Sequence, residues 1–144
     1  MKLPLVINTH GSVPISATLD TRICVFTGDS GTGKTFLFSL LSGYCDVSGL
    51  SMAIVDSNNL PRNDSDIERL ISYCSGVDIV ALDNANLYDV NTFVQRLQNS
   101  VGIILVSGHN LGLDATDMGY YQVSLSNSGI IVKRLGGKMN ASSV

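Results

Sequence analysis

Apolar residues in this chain fall into short runs that are separated by polar and glycine-rich segments. Runs rich in β-branched and aromatic residues predict strands at residues 3–8, 13–19, 21–27, 51–56, 77–83 and 102–107. Helix-like patterns predict helices from residue 36 to Gly43, over residues 65–75 and over residues 90–99. Ser65 and Glu68 match a capping box that would open the second of these helices. Residues 120–125 and 130–135 predict a hairpin around a turn at residues 126–129.

The turn between the strand at 21–27 and the first helix carries the chain's most specific motif. It reads Gly28-Asp29-Ser30-Gly31-Thr32-Gly33-Lys34-Thr35, which is the full phosphate-binding P-loop pattern. Glycines let backbone N–H groups approach a phosphate closely, and the start of the following helix adds a favourable dipole. Lys34 supplies a positive charge for the β- and γ-phosphates, and Thr35 offers a hydroxyl to Mg²⁺. The motif predicts that all eight residues bind a nucleoside triphosphate.

A second constellation follows at the end of a hydrophobic strand. The run Val80-Ala81-Leu82-Asp83 has the form of a Walker B element, whose carboxylate holds Mg²⁺ next to the P-loop hydroxyl. We therefore expect Thr35 and Asp83 to be the protein's metal-binding residues and Mg·ATP to be the ligand. ATP is favoured over GTP because no Asn-Lys-x-Asp-like motif follows the strand at 102–107.

Over residues 20–135 the chain resembles the P-loop NTPases of the branch that includes the AAA and ABC ATPases. The resemblance rests on residues 28–35, on the strand that ends at Asp83, and on the strand that ends at Ser107. It implies a three-layer α/β P-loop fold with a mainly parallel sheet, to which N-terminal extended segments and a C-terminal β-hairpin are added. It places the strand ending at Ser107 between the other two. Ser107 then matches the position that senses the γ-phosphate, with His109 and Asn110 beside it.

The chain departs from that family at the residue after Asp83. These ATPases usually carry a glutamate there to polarise the attacking water, and here Asn84 stands in its place. An amide can orient a water molecule but cannot take its proton. If hydrolysis occurs, the best candidate base is Asp56, at the end of a neighbouring strand. Arg62 and Arg134 are the candidates for an arginine finger.

Composition limits the remaining possibilities. Charged residues make up 15% of the chain, against about 25% in a typical domain, and the net charge is −3 with no basic stripe. Nucleic acid is therefore not indicated as a partner. Apolar runs are too short to span a membrane, no signal-peptide pattern occurs at the start, and three scattered cysteines suggest neither disulfides nor zinc. We expect one cytoplasmic domain over residues 1–135 and a disordered tail over residues 136–144.

Together these features predict an ATP-binding protein that is a weak or partner-activated ATPase. A partner protein or a second copy of the chain would complete the site. Two other functions stay open. A small-molecule kinase is one, although residues 111–118 lack the arginines of a kinase lid. A non-catalytic nucleotide-sensing or scaffold protein is the other, and Asn84 favours it.

Overall fold

A single eight-stranded sheet with three α-helices forms the molecule in a computed structural model that describes residues 1–27, 33–109 and 111–136. The helices are α1 (Lys34–Ser48), α2 (Asp64–Cys74) and α3 (Val90–Leu97). The strands are β1 (Leu5–Asn8), β2 (Ile15–Leu19), β3 (Ile23–Thr27), β4 (Met52–Val55), β5 (Ile79–Leu82), β6 (Ile103–Ser107), β7 (Met118–Ser126) and β8 (Gly129–Gly136). Across the sheet their order is β1-β2-β8-β7-β3-β6-β5-β4.

The direction of the strands corrects the predicted fold class. Antiparallel pairings join β1 to β2 and β7 to β8, whereas the other neighbours in the sheet run parallel. The sheet is mixed and curls like half a barrel, so the predicted three-layer P-loop fold with a mainly parallel sheet is wrong. The extended segments near the N-terminus and the C-terminal hairpin are full members of the sheet, because β2 pairs with β8. A pattern of alternating burial predicts a strand, but it does not say which strand will be its neighbour.

Two hydrophobic cores hold the elements together. Alternate residues of β3 point into different cores: Phe26 contributes to the one that contains α1, and Val25 contributes to the one that contains α2 and α3. The ring of Phe26 packs edge-on against Phe38 of α1 with centroids 5.7 Å apart. Because β3 is buried on both faces, its own position between the two cores is fixed.

The predicted helix ends need two corrections. Helix α1 continues through Gly43 to Ser48, and Gly49 is its C-cap, with a φ of 78°. Helix α2 begins earlier than the capping-box pattern predicts, since Asn63 is the N-cap and its side chain accepts a hydrogen bond from the backbone N–H of Asp66 at 2.8 Å. The hairpin turn between β7 and β8 is confirmed.

Cys24, Cys45 and Cys74 are buried free thiols, which matches their predicted role as small hydrophobic side chains. Burial raises the pKa of Cys24 and of Cys74 to about 11, and this disfavours the reactive thiolate.

Among the described helices, none combines the length and apolarity that a membrane crossing requires. The predicted tail lies outside the described residues from position 137 onward.

Candidate functional site

The candidate site lies at the carboxyl edge of the sheet, where β5, β6 and β3 end beside one another. Strand β6 pairs with both β3 and β5, which confirms the predicted position of the strand that ends at Ser107. In register, Ser107 is the partner of Phe26, and Val106 is the partner of Leu82. Asp83 follows β5 directly, so its carboxylate and the Ser107 hydroxyl are brought to the same edge.

The two predicted metal-binding residues contact each other directly. Thr35, in the first turn of α1, donates a hydrogen bond from Oγ1 to Oδ2 of Asp83 at 2.9 Å. The other carboxylate oxygen, Oδ1, accepts the backbone N–H of Asn84 at 3.0 Å. Only 4% of Asp83 is exposed. A hydroxyl and a carboxylate 48 positions apart in sequence therefore form one polar pair at the start of α1.

A cleft of about 260 Å³ opens above this pair. The predicted site residues that line it are Gly33, Lys34, Thr35, Asp83, Asn84 and Ser107. Phe36, Asn86, Gly108 and His109 complete its described wall. Residues 28–32, which form the rest of the predicted phosphate loop, and Asn110 lie outside the described residues. These six predicted site residues thus meet around one cavity.

The turn after β5 is held in an uncommon backbone conformation. Asn84 has φ 51° and ψ 43°, in the left-handed region that asparagine tolerates better than most residues. Next comes a short 3₁₀ helix, Ala85–Leu87. The hydroxyl of Tyr88 donates to the carbonyl oxygen of Asp83 at 3.0 Å, and the Tyr88 ring packs edge-on against Phe93. Burial, helped by the nearby Asp83 charge, raises the pKa of Tyr88, so it stays a hydrogen-bond donor at neutral pH.

Asn86 is a residue of this site that the sequence reasoning missed. It lines the cleft beside His109, and its backbone nitrogen and Oδ1 lie only 3.0 Å from where a Cβ on Gly108 would stand. Gly108 therefore lets the loop after β6 approach the turn after β5 more closely than another residue could. The one feature of the sequence that could have indicated Asn86 as a site residue is that it follows Asn84 by two positions.

Other predicted residues are not brought to the cleft. Asp56, the proposed base, does not line it, and its Oδ1 accepts the backbone N–H of Asn58 at 2.9 Å in a local turn. Glu68 forms a paired hydrogen bond with Arg96 of α3. Arg62 lies exposed just before α2. Arg134 pairs with Asp20 at 2.8 Å; Asp20 precedes β3 and thus lies at the opposite edge of the sheet.

The oxygen pair of Thr35 and Asp83 fits Mg²⁺. This ion prefers hard oxygen ligands, and in nucleotide sites it takes one or two from the protein and the rest from phosphates and water. Within the described part of the chain, no cluster of three or more histidine, cysteine or acidic side chains could hold a metal alone. A site built for a metal that arrives with phosphates needs no such cluster.

Comparison with known proteins adds no family to this description, because no protein-family model and no curated protein sequence matches the chain. Its function has to be argued from the motif and the geometry.

Proposed function

We propose that this chain binds Mg·ATP and is an ATPase that is weak alone or activated by a partner. The observation that carries the proposal is the 2.9 Å hydrogen bond between the last residue of the P-loop motif, Thr35, and the buried carboxylate of Asp83. A chance glycine-rich turn would have no reason to place its threonine hydroxyl on a carboxylate at the end of another strand. The pairing is what a site for a metal–triphosphate complex needs.

The residues predicted from the two motifs have distinct roles in this proposal. By the P-loop pattern, residues 28–33 would supply backbone N–H groups to the phosphates, and Lys34 would add positive charge. Thr35 and Asp83 would hold the metal, which when bound neutralises charge on the phosphate oxygens. Ser107, 4% exposed at the end of β6, would contact the terminal phosphate. The metal would add positive charge beside the buried carboxylate of Asp83.

Hydrolysis needs a group that accepts a proton from the attacking water. Asn84 and Asn86 line the cleft and can orient a water molecule, but neither can accept its proton. A second function is favoured by this observation, namely a protein that binds ATP and changes its contacts without turning it over. A partner that supplies charge in trans can raise hydrolysis by roughly 10³ to 10⁵. The two functions therefore differ in turnover and not in nucleotide binding.

Binding of Mg·ATP to wild type, Lys34→Ala and Asp83→Asn tests the proposal. Loss of the lysine removes a charge-assisted contact, so we expect about ten- to hundredfold weaker binding. Chelation of Mg²⁺ should weaken the binding of ATP to wild type. Asp83→Asn should bind Mg·ATP only as tightly as wild type binds ATP without Mg²⁺. Asp46→Asn, an exposed position on α1, is the matched control and should bind like wild type.

Turnover separates the candidate functions. Phosphate release from ATP alone supports an ATPase, and tight binding without release supports the nucleotide-dependent binding protein. ADP formation that needs an added acceptor would favour a small-molecule kinase. The proposal is wrong if wild type has no nucleotide affinity at millimolar concentration.

A further inference from the structure

The order of strands gives the candidate site two different sides. Asp83 and Ser107 follow or end β5 and β6, which lie on one side of β3. Strand β7 lies on the other side of β3 and runs parallel to it. Thr35 and Asp83 would hold the metal on the β5 and β6 side of the site, so the terminal phosphates of a bound nucleotide would lie on that side. Its nucleoside would then lie on the opposite side, toward β7.

The hairpin of β7 and β8 rises above the carboxyl edge on that side. The last residue of β3, Thr27, is in register with Gln122, and β7 continues through four further residues to Ser126. At about 3.3 Å per residue, the hairpin extends about 13 Å past the end of β3. It forms a wall beside the start of α1.

This wall is fixed to the rest of the sheet. The backbone N–H of Ile130 donates to the carbonyl oxygen of Pro14 at 2.8 Å, which anchors the turn end of the hairpin. Gly129 has a φ of 117°, and a Cβ there would lie 2.3 Å from the same Pro14 oxygen. The hydroxyls of Ser126 and Ser128 hydrogen bond to each other at 2.9 Å. A ligand against the wall would therefore meet a preformed surface.

Leu125 is the apolar residue that the wall presents to the site. It is 49% exposed although Tyr121 and Val123, on the same side of β7, are buried. Its Cβ lies 3.5 Å from where a Cβ on Gly33 would stand, so it lies directly beside the end of the P-loop motif. Leu125 is not among the residues that line the cleft, but an exposed leucine beside Gly33 is a surface that a base or ribose extending from the cleft could cover.

We propose that Leu125 at the carboxyl end of β7 forms the nucleoside subsite of this chain. The inference rests on the proposed function and adds the residue that holds the non-phosphate part of the ligand. Leu125 offers only apolar contact and does not read the hydrogen-bonding edge of a base. Its contribution should therefore be the same for adenosine and guanosine nucleotides.

The test compares Mg·ATP, Mg·GTP and Mg·tripolyphosphate on wild type and Leu125→Ala. Loss of the apolar contact should weaken ATP and GTP by about fivefold each and leave tripolyphosphate unchanged. Leu125→Met, which keeps a side chain of similar volume, should bind both nucleotides like wild type. Leu135→Ala is the matched control, because Leu135 is 52% exposed near the far end of β8.

Two results would overturn the inference. Leu125→Ala could leave ATP binding unchanged, or it could weaken tripolyphosphate as much as ATP, which would mean that the variant disturbs the phosphate site. In both cases wild type still binds tripolyphosphate, and the proposed function stands. If wild type binds none of the three probes, the proposed function and the subsite fail together.

Discussion

Two polar clusters lie at opposite edges of the sheet, and they use their side chains in different ways. At the carboxyl edge, Thr35 and Asp83 meet beneath an open cleft. At the amino end of β3, Asp20, Thr21 and Tyr121 form a network of hydrogen bonds with one another. Both clusters contain an aspartate next to a strand and a hydroxyl that donates to it.

The amino-edge network is closed. The hydroxyl of Tyr121 donates to Oδ1 of Asp20 at 2.7 Å, and it shares a hydrogen bond of 2.9 Å with the buried hydroxyl of Thr21. Arg134 neutralises the other oxygen of Asp20 at 2.8 Å. The Tyr121 hydrogen bond, with help from Arg134, lowers the pKa of Asp20. This arrangement stabilises the fold, because each charged or polar group already has a partner.

The carboxyl-edge cluster is open in comparison, because it lies beneath a cleft. Asp83 is more deeply buried than Asp20, and it accepts hydrogen bonds from the Thr35 hydroxyl and the Asn84 backbone N–H. Several polar side chains at that edge face the cleft. A buried carboxylate beneath an open cleft leaves room for a ligand, whereas the closed network around Asp20 does not. This difference is why we propose Asp83, and not Asp20, as the ligand-binding aspartate.

The largest expected effect tests the open cluster. Asn84→Glu would place a carboxylate beside Asp83 at the cleft, and general-base catalysis contributes about 10² to 10⁴ in rate. We expect turnover of ATP to rise by about a hundredfold, measured as phosphate release at saturating Mg·ATP. Thermal unfolding should show a small loss of stability, because glutamate is less suited than asparagine to a φ of 51°.

Asn84→Gln is the matched control for this change. It has the size of glutamate and places the same strain on the backbone, but it cannot accept a proton. Its turnover should stay at the wild-type level. Unchanged turnover in Asn84→Glu, together with intact nucleotide binding, would mean that Asn84 does not occupy the catalytic position.

The next effect, in size, tests the closed cluster. Tyr121→Phe removes one hydroxyl and leaves Asp20 and Thr21 without a shared partner, so we expect the free energy of unfolding to fall by about 1–3 kcal/mol. Urea denaturation measures this loss, and Tyr73→Phe, at an exposed position on α2, should be neutral. Nucleotide binding should not change in either variant. Weaker Mg·ATP binding by folded Tyr121→Phe would break the distinction between the two clusters.

The same contrast explains what could be predicted from sequence. Residues 28–35 and Asp83 could be predicted as phosphate- and metal-binding residues, because each belongs to a short motif whose spacing has a chemical meaning. Tyr121 and Asp20 are 101 positions apart, and nothing local in the sequence marks them as partners. Strand positions were predicted from residue patterns, whereas the joining of the antiparallel pairs β1–β2 and β7–β8 to the other strands in one mixed, curled sheet was not, and the predicted fold class was wrong for that reason. The prediction of Asp56 as the catalytic base rested on its position at the end of a strand. An aspartate at that position just as commonly forms a local turn, as Asp56 does with Asn58.

The smallest expected effect is a pH dependence of stability that comes from Asp20 in the closed cluster. The folded state lowers the pKa of Asp20, so the unfolded chain binds its proton more readily. The stabilisation by Asp20 is therefore complete above the unfolded pKa of about 3.9 and is lost as the pH falls through the lower folded value. The side chain is 41% exposed, and solvent screening should keep the effect below about 1 kcal/mol. Urea denaturation of wild type and Asp20→Asn from about pH 6 to about pH 3 measures it. The two stability curves should converge toward the acid end, and curves that stay parallel would mean that Asp20 contributes no ionisation-dependent stability.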